Sequence, residues 1–149
     1  MKIVVDTNIL FSGILNSSSK IGQLLLGSKG YLQFYTCNFL LIELIKHKKK
    51  LLALTQLPEE ELFELQTLLS QNITFINELL IPSEIVKSTE LLLQDIDSKD
   101  TPFVALAIHL KALIWTGDLK LINGLRRKNF TGFVSTQEIL ILLNNLQQE

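Results

Sequence analysis

Three β-branched residues followed at once by an acid, Ile3-Val4-Val5-Asp6, constrain this chain more than any other feature. An apolar run without alternation is the pattern of a strand buried on both faces of a parallel sheet. A parallel sheet in turn needs a crossover between successive strands, usually a helix. The rest of the chain is punctuated to match. Asp6-Thr7-Asn8 reads as a strand end passing into a helix, and Asn16 to Ser19 is a polar loop. A short helix is expected over 20–27, a strand over 32–36, and a helix from Phe39 that Asn38 caps and the cations Lys46 to Lys50 close. Pro58-Glu59-Glu60-Glu61 opens a helix to about Ser70, with Leu62, Leu65, Leu68 and Leu69 along one side. A strand follows over 73–76, then a helix from Pro82-Ser83-Glu84 to about Gln94 and an acidic turn from Asp95 to Asp100. Thr101-Pro102 begins a further helix, Leu113 to Trp115 is a strand, and a short helix lies over 119–125. Gly132 to Val134 is the last strand, and Ser135 caps the final helix, to about Leu146. Strands alternating with helices predict an α/β three-layer sandwich, a mostly parallel central sheet flanked by helices.

The 149 residues form one domain, 1–149. Hydrophobic residues make up 47% and charged residues 19%, against a usual charged share of about 25%, so the chain is too apolar to be disordered. Fourteen basic against fifteen acidic residues leave a net charge of −1, which excludes a uniformly basic nucleic-acid binder but not a local patch. Cys37 is the single cysteine, so no internal disulfide forms and it reads as a core residue. The most apolar segment, Phe103 to Trp115, is interrupted by His109 and Lys111 and is shorter than the ~20 residues of a membrane span. The start of the chain lacks a signal-peptide pattern, and a cytoplasmic location is expected. The leucine excess points to an additional apolar face, with the helices at Phe39–Ile45 and Glu138–Leu142 as candidates for a dimer contact.

Ligands of open α/β sheets bind outside the carboxyl ends of the strands. Asp6 and Asp118 both follow strands, while Glu43 lies within an apolar helical stretch and Asp100 stands at a helix start. Two carboxylates about 4 Å apart repel by roughly 4 kcal/mol at an effective dielectric near 20. No lysine or arginine adjoins Asp6, Glu43 or Asp118 in sequence, although Lys99 adjoins Asp100. A divalent cation would relieve the repulsion. Oxygen ligands favour Mg2+ or Mn2+ over zinc, and such a site suits phosphodiester hydrolysis.

Val4-Val5-Asp6-Thr7-Asn8-Ile9-Leu10 resembles the opening of PIN-domain nucleases. Asp100-Thr101-Pro102-Phe103-Val104-Ala105-Leu106-Ala107, followed by Ile114-Trp115-Thr116-Gly117-Asp118, resembles their closing half. The likeness is to the branch of toxin components of toxin–antitoxin pairs, and it spans nearly the whole chain. It implies a Mg2+- or Mn2+-dependent ribonuclease, often a homodimer, that is inhibited by a cognate antitoxin. It places the metal-binding acids at Asp6, Glu43, Asp100 and Asp118, and supporting polar positions at Asn8 and Thr116. Asp97 competes with Asp100 for the third acidic position and otherwise serves as an outer ligand. The rival within the family is a catalytically inactive PIN-like module that holds RNA or a protein.

Each residue also has a plainer reading. Asp6 and Asp100 are ordinary helix caps, Asp118 an ordinary turn residue, and Glu43 a partner for solvent or for a lysine of the cluster that follows it. Thr116 and Asn8 would then only hold turns. Lys46, Lys48, Lys49 and Lys50, with Arg126 and Arg127, are candidate RNA phosphate contacts or simply solvated helix ends. His47 and His109 are too few and too far apart for a zinc site, and His109 reads as packed within its helix. Trp115 reads as core. A phosphoacceptor receiver would show an adjacent acid pair after the first strand and a late lysine. A dinucleotide enzyme would show G-x-G-x-x-G, and neither pattern stands in the expected place.

Overall fold

A computed structural model describes residues 1–28 and 30–149. Its sheet has five strands, all parallel, in the order β3-β2-β1-β4-β5: β1 is Lys2–Val5, β2 Gln33–Cys37, β3 Ile73–Ile76, β4 Leu113–Trp115 and β5 Phe133–Val134. The opening triplet behaves as its chemistry demands, for Ile3, Val4 and Val5 are wholly buried at the centre. The described residues form nine helices. These are α1 (Thr7–Leu15), α2 (Lys20–Gly27), α3 (Phe39–Lys46), α4 (Lys48–Thr55), α5 (Glu59–Ser70), α6 (Ser83–Leu93), α7 (Thr101–Leu110), α8 (Leu119–Arg126) and α9 (Thr136–Gln148). Short 3-10 turns stand at Glu78–Leu80 and Ser98–Asp100. No helix among them is long and apolar enough to cross a membrane.

The strand order positions the site. From β1 the chain moves outward to β2 and β3, then returns across the sheet to β4 and β5. Crossovers between parallel strands are right-handed, so this reversal switches the covering helices from one face to the other. Accordingly α1 packs on α2, α4 and α5, whereas α6 packs on α7, and α7 lies against β1, β2 and β4. The reversal falls between β1 and β4, where Val5 stands beside Trp115. The Asp6 amide continues that ladder by donating to the Trp115 carbonyl at 3.2 Å. The aspartates that follow these two strands therefore emerge side by side at the switch point.

Several local expectations need correction. The basic cluster does not close one helix. The chain breaks at His47, and Lys48 to Lys50 open α4 instead. Cations at a helix start oppose its dipole, and Lys48 is compensated by an ion pair with Glu59 in the first turn of α5. Asn38 stands before α3 but has no side-chain cap bond among the described residues. The Phe39 amide donates at 2.7 Å to Glu78 Oε1 instead, a partner that sequence proximity could not suggest. On α5, Leu62 and Leu69 are buried while Leu68 is exposed, because the helix lies on its neighbours by a narrower face than its leucines offer. His109 is exposed near the end of α7, whose buried run is Phe103 to Ala107. Ser135 caps α9 in a reciprocal capping box with Glu138. Cys37 is a buried core residue whose thiol is pushed up to about 12 by burial. Trp115 is core as well, stacked on Phe34 with its Nε1–H donating to Thr136 Oγ1 at 3.0 Å.

Candidate metal-binding hollow

At the carboxyl ends of β1 and β4 lies a hollow of about 210 Å³. Asp6, Asn8, Glu43, Lys46, Asp97, Asp100 and Asp118 all line it. Four separate elements deliver these side chains. Asp6 and Asn8 come from the β1–α1 junction, Glu43 and Lys46 from α3, Asp97 and Asp100 from the turn before α7, and Asp118 from the β4–α8 junction.

Asp6 is the deepest, 4% exposed. Burial raises its pKa. The hydroxyl of Thr116 and the amides of Thr7 and Asn8 oppose the rise, and the charge of Asp118 adds to it. Thr116 sits behind the two strand-end acids as a clamp. Its Oγ1–H donates to Asp6 Oδ2 at 2.7 Å, and the same oxygen accepts the Asp118 amide at 3.1 Å. Asp118 also does the plainer job of a helix cap, since its Oδ1 accepts the Leu121 amide at 3.2 Å. Capping does not account for Asp100, which makes no side-chain cap bond among the described residues.

Asp100 is the least satisfied of the acids. Its Oδ2 is buried with no hydrogen-bond partner among the described residues. Burial first, then the charges of Asp6, Asp97, Asp118 and Glu43, push its pKa up to about 7. Asp97, its competitor, spends Oδ1 on the Lys99 amide at 3.0 Å. Glu43 pairs with His47, one helical turn on, at 3.2 Å. Its partner from the cluster is thus the histidine and not a lysine. Among the described residues no lysine or arginine lies within ion-pair distance of Asp6, Asp100 or Asp118, although Lys46 and Lys99 stand in the wall.

In chemistry, though not in a closed geometry, the donors are of the kind a hard divalent cation takes. Buried polar atoms are almost always hydrogen-bonded, and an orphaned carboxylate oxygen facing other carboxylates is the arrangement a cation relieves. The donors are oxygens, which suits Mg2+ or Mn2+. Among the described residues no three His, Cys, Asp or Glu side chains are placed so that together they could hold a metal ion.

His47, Lys99, Phe11 and Phe103 also line the hollow, and sequence reasoning assigned none of them there. The Glu43–His47 spacing of four was the available signal for His47, whose ring packs edge-on against Phe11. Other predicted contacts lie elsewhere. Lys48, Lys49 and Lys50 are outside the hollow, with Lys48 engaged by Glu59. Arg126 and Arg127 stand at the far end of α8 from Asp118, roughly 12 Å along the helix.

A family model for the PIN domain matches residues 4–143. No curated protein matches the chain. Solved structures do. VapBC2 from Rickettsia felis, bound to a DNA fragment from its promoter, matches with a TM-score of 0.66 at 16% identity, covering 91% of this chain and 97% of that one. PAE2754 from Pyrobaculum aerophilum matches with a TM-score of 0.67 at 11% identity, covering 100% and 91%. A toxin–antitoxin complex from Klebsiella pneumoniae matches with a TM-score of 0.57 at 20% identity, covering 90% and 97%. At these identities the likeness is one of fold.

Proposed function

Because the chain belongs to the PIN-domain family, we propose that it is a Mg2+- or Mn2+-dependent ribonuclease and the toxin member of a toxin–antitoxin pair. The observation that carries the metal site is the unpartnered, buried Oδ2 of Asp100 in a hollow shared with Asp6, Asp118 and Glu43. The toxin role is supported by the fold shared with the Klebsiella toxin–antitoxin complex. A cognate antitoxin as partner, a homodimer and a cytoplasmic location belong to the same reading.

Asp6 and Asp118, fixed by the strand ends, are the principal ligands, and Glu43 and Asp100 complete the set. Asp97, already bonded to the Lys99 amide, serves from outside it. A cation held by these acids would supply Lewis-acid stabilisation of a phosphate oxygen and would lower the pKa of a water beside it. Thr116 holds the Asp6 carboxylate in one orientation and ties the start of α8 to it. Asn8, at the mouth, bears on the scissile phosphate. Burial and the neighbouring carboxylates push the Asp100 carboxyl up to about 7, and a cation held beside it would favour its ionised form. Lys46, in the wall, contacts the RNA backbone, which provides affinity without sequence preference. Lys49, Lys50, Arg126 and Arg127 would extend that contact, and Lys48 adds to it only by leaving Glu59.

The test is cleavage of RNA by the purified chain with Mg2+ or Mn2+, with excess EDTA, and after Asp6→Asn. Cleavage only with metal and only with Asp6 is the expected result. Cleavage in EDTA, or by Asp6→Asn at the parent rate, would refute the assignment. Thermal stabilisation by Mn2+ without cleavage of any RNA would favour the binding module.

A further inference from the structure

Asp6 and Asp118 follow strands of the sheet, but Asp97 and Asp100 stand on the turn that links α6 to α7. The bonds inside this segment are local. The Ile96 amide donates to the Leu93 carbonyl at 3.0 Å, the Lys99 amide to Asp97 Oδ1 at 3.0 Å, and the Asp100 amide to the Asp97 carbonyl at 3.3 Å. The charges of Asp6, Glu43 and Asp118 meanwhile repel that of Asp100. A turn pushed outward by its neighbours needs a brace from outside itself.

Helix α8 and the residues after it supply two contacts of that kind. Gly124 lies against Ile96: a Cβ placed on Gly124 would stand 2.8 Å from both Cδ1 and Cγ1 of Ile96 and 3.1 Å from Cγ2. Both branches of the isoleucine are involved, so turning its tip would not make room. Glycine within a helix costs stability relative to alanine, and this close approach is the packing reason for it. Four residues on, Lys128 Nζ donates to the Leu92 carbonyl at 2.6 Å and pairs with Asp95. Leu92 belongs to the last turn of α6, where a cation satisfies a free carbonyl and complements the helix dipole. An exposed ion pair alone holds little. Here the same ammonium also bonds a helix end, and Gly124 grips the residue next to Asp95.

We propose that Lys128 and Gly124 are positioning residues, which hold the turn of Asp97 and Asp100 at a set distance from Asp118. The spacer between them is α8 itself. Asp118 caps its start, where Oδ1 accepts the Leu121 amide, and Leu121 and Leu125 anchor it in the core. One short, stiff helix thus carries one acid at its beginning and braces two others from its far end. The basic run Arg126-Arg127-Lys128 is divided by this role: Lys128 turns back onto α6, while Arg126 and Arg127 remain in water. Lys128 and Gly124 act only through the turn. Their effect on a bound ion rests on the metal site proposed for the hollow, whereas the brace itself does not.

Amide hydrogen exchange in EDTA and titration with Mn2+, both on the full chain, test it. Lys128→Met keeps the aliphatic stem and removes the charge. It should speed exchange at the Lys99 and Asp100 amides by about fivefold and leave the Leu121 amide, bonded to Asp118, at the parent rate. Mn2+ affinity should fall by about fivefold as well. Lys128→Arg, which keeps the charge and the donors, should restore both. Gly124→Ala should give the same pattern as Lys128→Met, even though alanine is the better helix former. The proposal is overturned if the turn amides keep the parent rate in both Lys128→Met and Gly124→Ala, or if Leu121 speeds up as much as they do, which would mean general loosening. It is also overturned if the turn amides speed up and Mn2+ affinity does not change. A parent chain that binds no Mn2+ would refute the metal site instead, and the exchange rates would still decide the brace.

Discussion

Helix α3 separates two regions built on opposite principles. On one side Glu43, Lys46 and His47 face a small hollow crowded with carboxylates, and on the other Leu41, Leu44 and Ile45 face a wide apolar groove that Phe63 of α5 also lines. Each holds the fold in an unfavourable arrangement. Crowded, partly buried acids repel one another and are pushed toward protonation, whereas exposed apolar walls leave hydrophobic surface in water. What would relieve each differs accordingly. Compact positive charge would relieve the hollow, and only removal of apolar surface from water would relieve the groove. One eight-residue helix serves both because its periodicity puts residues three and four apart on a common face.

The sharpest way to break this contrast is to change one side and read both. Asp6→Asn should lower the turnover of RNA by on the order of a hundredfold or more. Phe63→Ser should leave it unchanged when measured in the same assay. Equal effects would mean that the two regions do not act separately.

Next in size is the response to pH and metal. Asp100 at about 7 and Asp6, also raised, both lie above the ordinary value of 3.8. Between these limits the folded chain binds more protons than the unfolded chain. The ion-free protein is therefore favoured by these groups at pH below 3.8 and loses that contribution as pH rises through about 7. Melting temperature in EDTA should fall across this window, and Asp100→Asn should flatten the fall. Excess Mn2+ should raise the melting temperature most at the upper end, where the acids are ionised. A melting temperature in EDTA that climbs over the same range would show that the carboxylates are not crowded.

Thr116→Val removes the hydroxyl that serves both Asp6 and Asp118. A cost of about 1–3 kcal/mol in stability is expected from denaturant unfolding, together with a lower Mn2+ affinity, because the strand-end acids lose their common tether. An unchanged Mn2+ affinity would reduce Thr116 to a turn residue. A smaller effect is expected for Lys46→Ala, which should weaken RNA binding evenly across sequences and reduce the salt dependence by about one phosphate contact. If the salt dependence is unaltered, the wall of the hollow does not touch the RNA backbone. The smallest effect concerns the groove. The stability change of Phe63→Ser should stay within about 0.5 kcal/mol, since its ring is mostly in water.

Much of this architecture can be read from local chemistry. A β-branched triplet specifies a doubly buried strand, Ser135 with Glu138 specifies a helix start, and Pro58 before three glutamates specifies another. These signals act between neighbours, so they survive without knowledge of the rest of the chain. Charge alone does not show on which side of a break the cations after Lys46 fall, and the break at His47 has no proline or glycine to mark it. Asn38 looks like a cap in the sequence because its rival for the start of α3, Glu78, lies 39 residues beyond Phe39.

The sequence by itself determined which residue types were available and in what order, with acids after the first and fourth strands, one acid within a helical stretch, and one before Thr101-Pro102. Only the tertiary structure decided that these acids share a hollow, that Thr116 clamps two of them, that Asp100 is left with an unpartnered oxygen, and that His47 and Lys99 join the wall. It likewise decided that the other face of α3 opens onto α5 instead of closing on the core. The physical reason is range. Propensity and capping work over a few residues, but the crowding of charge and the exposure of apolar surface depend on which distant segments the crossing of β1 and β4 brings together.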